Sequence, residues 1–155
     1  MTDKMWFVEQ DGKLFMTWKG VDFCLQTIKS KALPFKYVVG IERGGLILAL
    51  IMSVLLGIPW GSYSPKKRKI RINGVRTFKD EDVLLIDDIE DSGETLRMFW
   101  RKYPKIINTA VMLKRRSCLN LARAEAAWVE TGHWIVFPWE VGLGTVKEPG
   151  KDYEK

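Results

Sequence analysis

The sequence predicts an α/β fold, a mainly parallel, doubly wound sheet flanked by helices. Three observations carry that expectation. Val83-Leu84-Leu85-Ile86 is an uninterrupted apolar run, as a strand buried on both faces requires. Residues 37–41, 44–56 and 60–64 read as strand, helix and strand in succession, and residues 94–103 and 107–113 repeat the alternation after the apolar run. Repeated strand-helix-strand units place their strands in parallel, because each helix returns the chain to the same end of the sheet.

Taken in order, Asp11-Gly12 between two apolar, aromatic runs, Trp6-Phe7-Val8 and Leu14-Phe15-Met16, signals an N-terminal hairpin. Val21, Leu25, Ile28 and Leu33 trace an apolar stripe, so a helix is expected over 21–31, broken by Pro34. Residues 37–41 form the first core strand. The helix over 44–56 is apolar nearly all round, which suits burial beneath a sheet, and Pro59 stops it. Residues 65–82 carry little apolar periodicity beyond a possible hairpin about Asn73-Gly74, and a lid is expected there over 66–74, hinged at Ser62-Tyr63. After the strand beginning at Val83 come the helix over 94–103, the strand over 107–113, an alanine-rich turn or short helix over 119–127 and a last strand over 134–137.

At 155 residues, with no Pro/Gly/Ser linker, the chain is expected to form a single domain over 1–155 with a sizeable core. The apolar run 45–58 is too short to span a bilayer and Met1-Thr2-Asp3-Lys4 has no signal-peptide pattern, so a cytoplasmic protein with no membrane partner is expected. Cys24 and Cys118 lack metal-ligand spacing and the single His133 cannot complete a zinc site, so both cysteines read as buried thiols. Twenty-five Lys and Arg against nineteen Asp and Glu give a net charge of +6, which favours phosphates of any origin. The densest basic run, Lys66-Lys67-Arg68-Lys69-Ile70-Arg71, lies between Pro65 and Asn73-Gly74 and reads as a mobile loop or hairpin. Without a helix-turn-helix or an aromatic-interleaved basic stripe, nucleic acid is not the favoured partner.

Chemistry concentrates where the apolar run ends. Asp87, Asp88 and Asp91 place three carboxylates in five positions at the carboxyl end of a core strand, the end at which open α/β sheets bind ligands. Ser92, Gly93, Glu94 and Thr95 then open a helix whose free N–H groups favour an anion. The acids call for hydroxyls or a metal, and the turn for a phosphate. A strand-to-helix turn with a polar cap needs only one such residue. A second junction, Glu42-Arg43-Gly44-Gly45, offers close backbone approach, a helix N-terminus and a fixed cation, which would fit a pyrophosphate; taken alone, a tight turn explains Arg-Gly-Gly as well.

The apolar run, two adjacent acids, a further Asp and then Ser-Gly-Glu-Thr together resemble the signature of the type I phosphoribosyltransferases. That resemblance implies that Asp87 and Asp88 hold the ribose hydroxyls of phosphoribosyl pyrophosphate (PRPP), that Asp91, Ser92, Gly93, Glu94 and Thr95 bind its 5-phosphate, and that Glu42, Arg43 and Gly44 form the pyrophosphate loop. Many members carry a small residue where this chain has Glu42, at a peptide that is often strained. Leu113-Lys114, Trp134-Ile135 and Phe137-Pro138-Trp139-Glu140 look like the base-recognition segments of the xanthine-guanine phosphoribosyltransferases. By resemblance Lys114 bonds a purine 6-oxo group, Trp134 stacks on the ring and the backbone of Ile135 meets its two-position. An ammonium suits an oxo acceptor and repels an exocyclic amine.

The resemblance therefore implies a purine salvage enzyme with an N-terminal hairpin and a small C-terminal hood, taking PRPP and a purine base (guanine, xanthine or hypoxanthine). Asp91 assists at the N7 side of the base, and Asp87 and Asp88 act with it in catalysis. Mg²⁺ is the implied cofactor, with Asp87, Asp88 and Glu140 as candidate ligands, and a homo-oligomer is the implied assembly. Two alternatives stay open on the residues: a PRPP-binding regulatory protein, and a phosphoribosyltransferase with another nucleobase acceptor. Val136 stands where an acidic residue is found in the enzymes it resembles, which leaves the choice among the oxopurines open.

Overall fold

In chain order the elements are β1 (Phe7–Gln10), β2 (Lys13–Met16), α1 (Trp18–Lys31), β3 (Tyr37–Ile41), α2 (Gly44–Leu56), β4 (Trp60–Ser64), β5 (Lys69–Ile72), β6 (Val83–Glu90), α3 (Glu94–Lys102), β7 (Thr109–Arg115), β8 (Ala124–Val129) and β9 (Trp134–Val136). This computed structural model describes residues 6–118, 121–129 and 132–141. The chain divides into two compact units, residues 24–129 and the stretches on either side of them. The N-terminal residues 1–4 and the first two positions of the expected turn over 119–127 lie outside the described residues.

The larger unit is a six-stranded sheet in the order β5-β4-β3-β6-β7-β8. β4, β3, β6, β7 and β8 run parallel, and β5 closes one edge antiparallel. Val83, Leu84, Leu85 and Ile86 are all fully buried, as a central strand covered on both faces requires. α3 closes over one part of this core through Leu96 and Phe99, which join Val39, Tyr63, Leu85 and Val111 in one apolar cluster. Asn108 secures the chain between α1 and β3: its side chain accepts from Leu33 N–H (3.1 Å) and donates to Leu33 O (3.0 Å), so its buried amide is paired on both sides.

Four expectations are corrected here. Of the loop or hairpin expected for the basic run, the hairpin is formed, and the lid expected over 66–74 is not a loop throughout: β5 is a strand, because Ile70 and Ile72 alternate inward and are buried while Lys69 and Arg71 point to solvent. The turn of that hairpin lies at 65–68, with Arg68 at φ 51°, and Asn73-Gly74 makes only a bridge between Ile72 and Val75. Ser62 and Tyr63 are bonded into the sheet on both sides and cannot serve as a hinge. Residues 124–129 of the alanine-rich segment form the edge strand β8, where pairing with β7 overrides the helix preference of alanine.

α2 buries Gly45, Leu48, Ala49 and Met52 and leaves Leu50, Val54 and Leu55 exposed, so the helix is covered on one face only. It ends at Gly57, whose φ of 65° lets its N–H return to Ser53 O at 2.8 Å. Cys24 is fully buried, and burial pushes its thiol up to about 12; Cys118, expected to be buried too, is half-exposed. Among the described residues no helix is long and apolar enough to cross a membrane.

The smaller unit is a three-stranded sheet, β1-β2-β9. Asp11 and Gly12 both take positive φ (51° and 71°), the twist a two-residue hairpin turn demands. β2 pairs in parallel with β9, setting Lys13 opposite Trp134 and Leu14 opposite Ile135. The hairpin is therefore the platform for β9. α1 begins three residues earlier than its apolar stripe indicates, because Thr17 caps it: its hydroxyl accepts the Gly20 N–H at 3.1 Å.

Candidate active site

β3 and β6 lie side by side at the centre of the larger sheet, and the two candidate loops leave their carboxyl ends. Gly40 is in register with Ile86, so the turn 42–45 and the acids 87–88 emerge together. Their contact is intimate: a Cβ on Gly44 would fall on the Asp88 carboxylate, and one on Gly45 would strike the Ile86 carbonyl. At Gly45, where the neighbour is backbone, only glycine admits this approach. The peptide joining Glu42 to Arg43 is cis, and both side chains are exposed.

Asp87 and Asp88 are half-buried and lie within β6 just past its last pairing with β3, Asp87 Oδ1 accepting from Asp88 N–H (2.9 Å) and Asp88 Oδ1 from Ile89 N–H (2.8 Å). Burial, and then the charge of Asp88, hold the Asp87 carboxyl well above the ordinary range; N–H groups of Asp88 and Gly45 offset only part of this. Such a pair is suited to bonding hydroxyls or a cation, which would relieve the repulsion.

The second half of the site is a cleft of about 340 Å³ lined by Asp87, Glu90, Asp91, the turn 92–95 and Val111 among others. Gly93 takes φ 81° and ends the turn where α3 begins, and the Ser92 hydroxyl accepts Glu94 N–H at 3.3 Å. Backbone donors at a helix start, with small hydroxyls such as Ser92 and Thr95 beside them, are chemically suited to an anion. Glu94 itself turns to Arg97, 3.5 Å away. Asp91 projects to solvent and meets Arg115, whose Nε lies 2.6 Å from its Oδ1.

Lys114 stands opposite Glu90 in the β6–β7 register and is fully buried. Its Nζ contacts Ala122 O at 3.1 Å, Glu125 Oε2 at 3.4 Å and Glu90 Oε2 at 3.6 Å, and lies 5.3 Å from the Trp128 ring centre. The other base-binding candidates belong to the smaller unit. Trp134 is exposed on β9, Ile135 is buried beside Leu14, and Glu140 Oε2 accepts Phe137 N–H at 2.8 Å, capping its own turn. Among the described residues, no three His, Cys, Asp or Glu side chains converge on a possible metal position.

Residues 22–144, which carry the Gly-rich turn, the acid pair and the start of the next helix, match the Phosphoribosyl transferase domain family. The chain belongs to the phosphoribosyltransferase family. Among curated phosphoribosyltransferases it is 30% identical over 125 residues to a xanthine-guanine phosphoribosyltransferase of Cereibacter sphaeroides, covering 73% of this chain and 74% of that one. It is 25% identical over 144 residues to the xanthine-guanine phosphoribosyltransferase of Idiomarina loihiensis, covering 84% and 89%. Among solved structures, the purine phosphoribosyltransferase of Pyrococcus horikoshii superposes with a TM-score of 0.59 at 26% identity, over 84% of this chain and 95% of that one. The mixed sheet with central parallel strands is thus the phosphoribosyltransferase fold.

Sequence reasoning left out four residues that the fold sets beside the candidates Lys114 and Asp91: Glu90, Arg115, Glu125 and Trp128. Glu90 carried a signal, an acid where β6 continues inward and is 3% exposed. The others become neighbours only through pairing of β7 with β6 and β8.

Proposed function

We propose that this chain is a purine salvage enzyme: it transfers the 5-phosphoribosyl group of PRPP to a 6-oxopurine and releases pyrophosphate. The bond from C1 of ribose to pyrophosphate breaks, a bond from C1 to a ring nitrogen of the base forms, and the base gives up a proton. The observation that carries this reading is the contact of Gly44 with Asp88, which joins a pyrophosphate-type turn to a hydroxyl-binding acid pair at adjacent strand ends. Similarity to the xanthine-guanine enzymes supports the oxopurine class.

In this reading Glu42, Arg43 and Gly44 border the pyrophosphate, Asp87 and Asp88 hold the ribose hydroxyls, and residues 91–95 seat the 5-phosphate. Asp91 serves the N7 side of the base, Lys114 its oxo group, Trp134 its face and Ile135 its two-position. Leaving-group departure makes ribose cationic, so the protein's task is to stabilise separating charges and exclude water, not to supply a nucleophile. The oxygens of Asp87 and Asp88 fit Mg²⁺, a hard ion that prefers oxygen donors; with no three-residue cage among the described residues, most of its ligands would be PRPP oxygens and water. Glu140 would join them only by giving up its cap. Exposed Leu50, Val54 and Leu55 on α2 support assembly with further copies of the chain, and the lack of a spanning helix among the described residues is consistent with a cytoplasmic setting.

The test is direct. The protein is incubated with PRPP and Mg²⁺, each nucleobase is offered separately, and the monophosphate formed is identified. Guanine, xanthine or hypoxanthine should be consumed; activity confined to adenine or a pyrimidine would reject the oxopurine assignment.

A further inference from the structure

An ammonium has three N–H donors; Lys114 Nζ donates to Ala122 O at 3.1 Å and to Glu125 Oε2 at 3.4 Å, and lies at ion-pair distance, 3.6 Å, from Glu90 Oε2. Fully buried among these acceptors, Lys114 turns an N–H toward a base only by loosening one of these contacts. The two carboxylates differ in how easily they let go. Glu90 has a side chain 1% exposed and accepts two backbone donors, Leu121 N–H at 2.6 Å and Ala122 N–H at 3.1 Å. Moving it would strand both. Glu125 lies on the edge strand β8 with its side chain 23% exposed, and a second cation is already beside it: Lys31 Nζ is 3.7 Å from Glu125 Oε1 and donates to Glu125 O at 2.9 Å. Glu125 can leave Lys114 without losing its charge partner.

We propose that Glu90 and Glu125 form a two-carboxylate clamp that sets base recognition, Glu90 as the fixed anchor positioning Lys114 and Glu125 as the releasable partner. Shift of Glu125 toward Lys31 frees one N–H of Lys114 for the 6-oxo group of the base. Glu90 also lines the cleft at the phosphate turn, so the anchor joins that turn to the lysine. Glu90, Glu125 and Lys31 are positioning residues that act through Lys114; none of the three touches substrate in this account. The inference rests on the reading that Lys114 serves the base. Release of Glu125 is a cost drawn from base binding alone, because a state that must first be populated weakens apparent affinity by its fractional population.

Steady-state kinetics with hypoxanthine and guanine, each at saturating PRPP and Mg²⁺, test it. Glu125→Gln weakens the grip on Lys114 and should lower the base KM about three- to tenfold, while Lys31→Ala removes the alternative partner and should raise it by a similar factor. In both, kcat and the PRPP KM should stay within about twofold of wild type. Glu90→Gln should raise the base KM; should it fail to fold, the other two variants carry the test, Lys31 being an exposed side chain. Unchanged base KM in Glu125→Gln and Lys31→Ala overturns the clamp, as does an active Lys114→Met enzyme with normal base KM. Wild-type protein that forms no monophosphate from any oxopurine is a separate result: it removes the functional reading, and the clamp with it.

Discussion

Arg115 Nε lies 2.6 Å from Asp91 Oδ1, so a cation on β7 holds the carboxylate that ends the acid cluster of β6. Asp91 has a side chain 69% exposed, whereas Arg115 is 14% exposed, so the order runs from the packed cation to the exposed acid. An isolated ion pair this open to solvent adds little stability. Its value is in direction.

Asp91→Asn should therefore leave the melting temperature close to wild type while lowering kcat by about 10²–10⁴, the usual range for acid-base assistance. Arg115→Gln should lower kcat less, and Arg115→Lys should recover part of that loss. Near-normal turnover in the Asn variant would remove Asp91 from the mechanism.

Asp87 yields a pH prediction. Its carboxyl is raised by burial and by Asp88, so the folded state binds its proton more tightly than the unfolded chain does. The resulting stability is full below the ordinary carboxylate range and is lost as pH rises through the raised value. Asp87→Asn removes the buried charge, so thermal melts should show it more stable than wild type at neutral pH, with the difference closing on acidification. PRPP turnover should fall in the same variant. A gap that is equal at neutral and acidic pH would contradict the assigned cause.

Gly44 and Gly45 should respond differently to alanine. At Gly44 the new methyl meets the end of a side chain, Asp88, which can turn aside; at Gly45 it meets the backbone of β6, which cannot. Gly44→Ala should fold and show a raised PRPP KM with the base KM little changed. Gly45→Ala should lose stability by about 1–3 kcal/mol, the usual cost of overpacking, read by urea unfolding. Equal losses of stability in both would refute the distinction.

Trypsin should separate the two parts of the basic run. Lys66, Lys67 and Arg68 are exposed in a turn, while Lys69 and Arg71 lie on β5, whose Ile70 N–H also bonds the Tyr103 hydroxyl at 3.2 Å. Early cuts should fall after residues 66–68, with those after 69 and 71 delayed, as mass mapping of a short digest would reveal. Simultaneous cleavage at all five would restore the mobile loop that the sequence suggested.

The sequence by itself determined the elements whose signal is local. Tyr37–Ile41, Gly44–Leu56 and Trp60–Ser64 were legible to the residue because they stop at Glu42, Gly57 and Pro65. Asp87, Asp88 and residues 91–95 were legible because a buried strand and a helix start fix their place with no distant partner. Tertiary structure alone decided what depends on strand neighbours. Lys69–Ile72 and Ala124–Val129 are strands because a sheet edge was there to pair with, and neither composition nor period announces an edge. Lys114 illustrates the same limit for the site: its charge could be read in the chain, but its partners Glu90 and Glu125 are 24 and 11 positions away and meet it only because β7 lies between β6 and β8. Residue identity sets which contacts are chemically possible, and strand order sets which are made.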